Sequence, residues 1–305
     1  MNHVPVLLKE SVDFLVKEID GKYFDGTAGF GGHSQEILNR LNEKGKLIAT
    51  DKDHSAFEFC KEKFQGDKRF SIYHAGFSNI DSISKIEFID GFDGIFADLG
   101  VSSFQLDSIE AGFTFRGDTS LDLRMNKDEG ISAASVLNKF SQEEIAKILF
   151  EYGEEKNSRL IAKKIVRFRE KEKISRTFQL KKIIEEITPQ RYLNKSLSRV
   201  FQALRIYVNN ELEELKIFLD KSLPLLKSGG RIVVISYHSL EDKIVKEKFR
   251  YESLSCICPP QTPVCICEKK QRLKLITHKP LAPSELEVEK NRRARSAKMR
   301  VAERV

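Results

Sequence analysis

Three apolar runs in the first hundred residues, KYFDGT, KLIATDKD and DGIFADLG, each reach an aspartate, and ILNRL between the first two carries helical apolar spacing. Strands that alternate with helices in this way build a parallel sheet covered on both faces. Open parallel sheets bind ligands beyond the carboxyl ends of their strands. Asp25, Asp51 and Asp98 therefore mark the edge where chemistry is expected.

Directly after the first strand the chain reads FDGTAGFGGHS, with glycines at 26, 29, 31 and 32. Such a cluster marks a sharp bend or a close approach of backbone to something else. A helix beginning near His33 would aim backbone N–H groups at an anionic group, as a dinucleotide pyrophosphate or the methionine portion of S-adenosylmethionine requires. The spacing is a poor match to the dinucleotide fingerprint G-x-G-x-x-G, and a tight strand-to-helix connection would use the same glycines without any ligand. Asp51 follows about 20 residues later, where an acid accepts hydrogen bonds from an adenosine ribose or simply caps a helix. Phe77 in AGFSN suits the face of an adenine, or the core. In ADLGVSSFQLD, Asp98 ends a strand, Gly100 permits close approach, and Ser102, Ser103, Gln105 and Asp107 offer donors and acceptors.

The chain of 305 residues, 40% hydrophobic, is long enough for one large domain or a domain carrying an insertion. From about Ile131 to Thr188 the pattern is helical. SQEEIAKILFEYG opens with the capping-box pair Ser141 and Glu144, places Ile145, Ile148, Leu149 and Tyr152 on one face, and stops at Gly153. TFQLKKIIEEI aligns Leu180, Ile183, Ile184 and Ile187. SRVFQALRIYVNNELEELKIFL is expected as one long helix, SGGRIVVISYHSLED as a buried strand followed by a helix capped by Ser239 with Asp242, and RLKLITHKP and SAKMRVAERV as the last strands. The expected organisation is a discontinuous α/β domain, residues 1–110 and 205–305, interrupted by a helical domain, residues 111–204.

Lys and Arg total 52 against 45 Asp and Glu, a net charge of +7 that favours anionic partners. No run approaches the roughly 20 apolar residues of a membrane helix, and VPVLL is too short for a signal sequence, which points to the cytoplasm and to no membrane partner. Five cysteines without a secretion signal argue for reduced thiols. CICPPQTPVCIC sets Cys256, Cys258, Cys265 and Cys267 as two C-x-C pairs about a proline-containing loop, a candidate zinc tetrathiolate whose spacing departs from the usual C-x2-C.

HVPVLLKE, DGTAGFGGHS, ADLGVSSFQLD, GFTFRGDTSLDLRM, ISYHSLEDKIVK and RSAKMRVAER resemble, in order and nearly end to end, the RsmH (MraW) family of S-adenosylmethionine-dependent rRNA methyltransferases. The resemblance implies a Rossmann-like methyltransferase sheet with a helical insertion, and N4-methylation of a cytidine in the decoding region of bacterial small-subunit (16S) rRNA. It implies cofactor positions at Gly31, Gly32, His33, Asp51, Phe77, Asp98 and Gln105, and no required metal. The partner is small-subunit rRNA or the assembled subunit, and a homodimer stays open. Asp98, His238 and Ser239 are the expected catalytic residues. Asp98 would accept from the target amine, serve the cofactor alone or merely cap the following turn, while SYHSLED offers Tyr237 for stacking and His238 and Ser239 for polar contact with an unstacked base. A structural histidine is the other reading of His238. Phe113, Phe115, Arg116 and Arg124 suit RNA contact or a packed loop, and KNRRARSAKMR reads as phosphate-contacting surface. Two rivals remain at this point: a nicotinamide-dependent oxidoreductase, and a non-catalytic RNA-binding assembly factor that keeps a cofactor pocket.

Overall fold

A computed structural model describes residues 5–100, 113–115, 117–259, 261 and 264–305. Ser102, Ser103, Gln105, Asp107 and Arg116 lie outside the described residues. Backbone packing divides the chain into two units, Met1–Gly100 with Leu212–Val305, and Val101–Glu211.

In the first unit, strands β1 (Lys22–Asp25), β2 (Lys46–Asp51), β3 (Phe70–His74), β4 (Phe92–Asp98), β5 (Leu226–Ser236), β6 (Leu273–Leu275) and β7 (Lys298–Arg304) form one sheet in the order β3-β2-β1-β4-β5-β7-β6. The first five run parallel, and β7 lies antiparallel to both β5 and β6. The sheet is thus parallel where strands and helices alternate, as expected, and becomes mixed where β7 and β6 join it. Its strands are apolar on both faces because both faces are covered. Tyr23, Leu47, Val233 and Val301 join one buried cluster, while their neighbours Phe24, Ile48, Ile232 and Ala302 join the other, as the two-residue strand period requires. Helices α1 (Leu8–Leu15) and α2 (Gly32–Arg40) add Val12, Leu15, Ile37 and Leu38 to the first cluster. α3 (His54–Lys63) follows β2. α4 (Ile80–Ile86) adds Ile80 and Ile83 to the second cluster.

β1 pairs with β2 on one side and β4 on the other, and the chain reverses its direction of winding there. Strand tips diverge at such a switch point and leave a crevice. β3, FSIYH, has only partly buried or exposed side chains, so its weak apolar signal escapes a reading by hydrophobicity.

The second unit contains α5 (Ala133–Lys139), α6 (Gln142–Gly153), α7 (Ser158–Arg169), α8 (Thr177–Glu185) and α9 (Gln190–Asn209). The Ser141–Glu144 capping box forms in both directions, at 3.1 and 2.7 Å. Ile145, Ile148, Leu149, Leu180, Ile183 and Ile184 are buried together, with Tyr152 and Ile187 packed at the margin. Phe113 is in the same core, Phe115 packs on Phe201 at 5.5 Å, and Arg124 is held by Asp122 at 2.6 Å. These three belong to a packed loop.

Two expected elements differ in detail. The single long helix is two, α9 and α10 (Glu211–Leu225), because Asn210 sits in the left-handed region at φ 52° and ends the first. α11 (Ser239–Ser253) is capped by His238, one residue before the expected Ser239: the Glu241 N–H faces His238 Nδ1 at 3.4 Å and Glu241 reaches back to the cap. Arg300 in the basic tail is buried against Asp242, Nε to Oδ1 2.6 Å, so only part of that tail is free to meet phosphate.

Candidate functional site

The carboxyl tips of β1, β2 and β4 bring Asp25, Asp51 and Asp98 to the switch-point crevice. Asp25 is wholly buried; its carboxylate accepts from the Thr27 N–H at 3.0 Å and the Ser34 hydroxyl at 2.6 Å. It therefore braces the glycine turn from below. Asp51 accepts the Gly29 N–H through one oxygen and the Asp53 N–H through the other, both at 2.8 Å. The Asp98 backbone N–H donates to Thr27 Oγ1 at 2.7 Å, and its carboxylate accepts the Tyr237 hydroxyl at 2.8 Å. One loop thus ties all three strand tips together.

Burial is the first cause of an upward pKa shift at each acid: Asp25 and Asp51 are raised to about 6 and Asp98 to about 7, against their hydrogen bonds. Repulsion from Asp25 adds to the other two. The same field reaches Cys60, whose thiol is pushed up to about 12 by burial, then by Asp25 and Asp51. No Lys or Arg ion-pairs with any of the three acids among the described residues. His33 Nδ1 stands 3.8 Å from Asp98 Oδ2. A crevice with this set of acceptors is matched to a ligand that brings hydroxyl donors and a positive charge.

The turn itself supplies the room. Gly29 and Gly31 have φ of 52° and 70°, and a Cβ on Gly29 would meet nothing within 4 Å, so the turn is open on that side. Gly31 precedes α2 as its cap, which places Gly32 and His33 in the first turn, at the positive end of the helix. A Cβ on Gly31 would come within 2.7 Å of the Phe64 ring. Gly31→Ala is expected to lose about 2–5 kcal/mol in urea unfolding, the left-handed penalty of about 1–2 kcal/mol plus overpacking of about 1–3 kcal/mol. Gly29→Ala should lose only the first part. Equal losses for the two would refute this account.

The expected positions fare differently. Gly31 and Gly32 belong to the turn that Asp51 and Asp98 hold through Gly29 and Thr27. Phe77 adjoins it, since its Cβ is 2.8 Å from where a Gly26 Cβ would lie, and its ring packs edge-on against Phe218 with centroids 5.0 Å apart. The His33 side chain is buried, its Nε2 3.1 Å from the Val6 carbonyl and its ring 4.5 Å from that of Phe96, so a cofactor contact falls to its backbone. Tyr237, expected to stack on a base, instead holds Asp98, and its own pKa rises through burial and that contact. His238 is engaged in the α11 cap, with Nε2 3.1 Å from Glu241 Oε1 but not aligned as a hydrogen bond; Ser239 is exposed in the first turn. Thr27 and Ser34 are site residues that reading the sequence missed. Their signal was present: small hydroxyls interleaved with glycine in a turn serve to pin neighbouring carboxylates.

Comparison with known proteins places the chain in a family. The MraW methylase family matches residues 1–305. A relative from Caldicellulosiruptor saccharolyticus, named ribosomal RNA small subunit methyltransferase H, is 50% identical over 304 residues and covers 99% of each chain. One of the same name from Fusobacterium nucleatum is 44% identical over 99% of this chain and 97% of its own. A solved rRNA methylase from Streptococcus thermophilus, 10% identical, superposes with a TM-score of 0.43 over 98% of this chain and 93% of that one, a distant likeness. With the whole chain matched and relatives aligned end to end, the chain belongs to the MraW methylase family.

Proposed function

We propose that this enzyme, an S-adenosylmethionine-dependent methyltransferase, methylates small-subunit ribosomal RNA, and that the acceptor is N4 of a cytidine in the decoding region. The observation that carries the reading is the crevice of three desolvated carboxylates beneath a glycine turn, with no basic side chain of Lys or Arg among the described residues to neutralise them. S-adenosylmethionine, when bound, supplies an electrophilic methyl group on a positively charged sulfonium. Asp51 would hold the ribose hydroxyls, the first-turn amides at Gly32 and His33 with the Gly31 turn the methionine carboxylate, and Phe77 the adenine. Gln105 is assigned to the same cofactor on the resemblance alone. The rival nicotinamide chemistry finds no support in this set, which favours a cation where a dinucleotide would bring a pyrophosphate.

Cytosine N4 is a weak nucleophile because its lone pair is delocalised into the ring. A carboxylate placed to accept an N4 proton favours the pyramidal, attacking form and takes up charge as the bond forms. Asp98, fixed by Thr27 and Tyr237, is the residue for that task, and its placement contributes as much as its basicity. His238 and Ser239 follow β5 and are proposed as polar contacts to the unstacked base. The enzyme works in the cytoplasm, on rRNA or on the assembled small subunit.

The helical unit has the character of an RNA surface. Lys156, Arg159, Lys163, Arg167, Lys173 and Lys195 are exposed or half-exposed, and Arg191 stacks on Tyr192 at 4.6 Å. Phosphate neutralisation releases counterions, so affinity for small-subunit rRNA should fall as salt rises. Replacing Arg159, Lys163 and Arg167 with alanine should flatten the log–log slope by about one for each phosphate no longer neutralised. A slope that stays the same would remove α7 from the interface.

The reaction is tested by incubating the protein with labelled S-adenosylmethionine and small subunits, or naked rRNA, from cells lacking this activity, then digesting to nucleosides. Label in N4-methylcytidine is expected. Label in another nucleoside would displace the acceptor assignment, and no label alongside normal cofactor binding would favour a non-catalytic assembly factor.

A further inference from the structure

The connection from α11 to β6 has no regular secondary structure among its described residues, and it exceeds the roughly 12–15 residues beyond which such loops are uncommon in compact domains. Its base is held firmly. Glu252 is wholly buried at the end of α11, with Lys248 Nζ at 2.9 Å and Lys269 Nζ at 3.5 Å; the Arg272 guanidinium pairs with it too, and the Arg272 N–H donates to its carbonyl at 2.8 Å. Beyond that clamp the loop exposes Val264 and Ile266, side chains that contribute no core. Something else must organise the tip.

Four thiols meet there. The Sγ atoms of Cys256 and Cys265 are 3.5 Å apart, Cys258 and Cys265 4.0 Å, Cys265 and Cys267 3.6 Å, and Cys256 and Cys267 3.8 Å. All four lie within 4.8 Å of one another. A tetrahedral zinc with bonds of about 2.3 Å sets its sulfurs about 3.8 Å apart. These separations therefore describe the edges of a coordination tetrahedron, and they are far longer than the roughly 2.05 Å of a disulfide. The local sequence explains the convergence. Each C-x-C keeps two sulfurs within one short segment, and the two segments meet with all four sulfurs within 4.8 Å of one another.

The backbone is also arranged for thiolates. The N–H groups of Ile257, Cys258 and Ile266 donate to the sulfurs of Cys267, Cys256 and Cys258, each at 3.4 Å. A neutral thiol is a weak acceptor; a metal-bound thiolate is a much better one, and such donors orient and stabilise it. We propose that Cys256, Cys258, Cys265 and Cys267 bind one Zn2+ as a closed structural tetrathiolate that staples this loop. With four protein sulfurs the ion has no open position for substrate, so it shapes the surface and takes no part in methyl transfer.

The full-length protein, produced with zinc in the medium and purified without chelator, should carry about one zinc per chain by plasma mass spectrometry. Cys258→Ser/Cys267→Ser should carry less than about a tenth of that. Because a double variant can misfold for other reasons, the wild-type protein is also stripped and reloaded with Co2+. The intense visible absorption of tetrahedral cobalt thiolate is expected, and one equivalent of Zn2+ should abolish it. Zinc retained by the folded double variant would overturn the assignment. So would a wild-type protein that holds neither metal after reloading, one that returns iron, or one whose four cysteines are joined as disulfides under non-reducing mass spectrometry.

Discussion

Asp51→Ala should weaken S-adenosylmethionine binding at least about 100-fold, measured by calorimetry at pH 8. Hydrogen bonds to a charged group contribute about 1.5–3 kcal/mol each, two ribose hydroxyls are the proposed donors, and about 1.4 kcal/mol is a factor of ten. Asp51 also anchors the Gly29 N–H at 2.8 Å, so its removal loosens the turn as well as the ribose contact. Asp51→Asn retains an acceptor oxygen and should lie between the two. A dissociation constant unchanged in the alanine variant would remove Asp51 from the cofactor site.

For Asp98→Asn the expected result is a turnover number reduced by about 100- to 1,000-fold, the range for removing one group that stabilises charge in the transition state. Cofactor affinity should change less, because the backbone bond to Thr27 would still hold the substituted amide at the tip of β4. His238→Ala is the contrast. Its ring caps α11, so a stability loss of about 0.5–2 kcal/mol is expected, and a fall in turnover as deep as that of Asp98→Asn would place it in the chemistry instead.

The same acids make cofactor binding dependent on pH, with a definite sign. Their folded-state pKa values, about 6 for Asp25 and Asp51 and about 7 for Asp98, lie above the ordinary value of 3.8. Without ligand, the folded state therefore binds protons more tightly than the unfolded chain, and these groups favour folding progressively as pH falls from about 7 to 4. A cationic ligand prefers the ionised acids. The rise in Tm on adding S-adenosylmethionine should be largest above about pH 7 and shrink toward about pH 5, with affinity dropping about tenfold per pH unit for each acid that must ionise. A shift independent of pH across this range would mean that no acid titrates on binding.

Much of the site could be read along the chain because its parts are local. The glycine turn and the aspartates that end strands, like the Ser141–Glu144 cap in the helical unit, are each decided within a few residues, by backbone conformations that only glycine adopts easily or by side chains that reach their own neighbours. Tyr237 and His238 show where this stops. Both stand out in the sequence as polar groups at a strand end, yet the contact that occupies Tyr237 comes from Asp98, 139 positions away, and the cap falls to His238 because the backbone leaves β5 one residue earlier than the Ser239 spacing suggests.

Alternating strands and helices, the acidic strand tips, the helical segment between β4 and β5 and the paired cysteines were all present in the order of residues alone. The strand order, the antiparallel entry of β7 between β5 and β6, the gathering of three carboxylates under one loop and the tetrahedral spacing of four sulfurs were decided only by folding. Local conformation follows from each residue's own sterics and its nearest neighbours. Which strand tips become adjacent follows from burying both faces of the sheet at once, a requirement on the whole chain that no short segment contains.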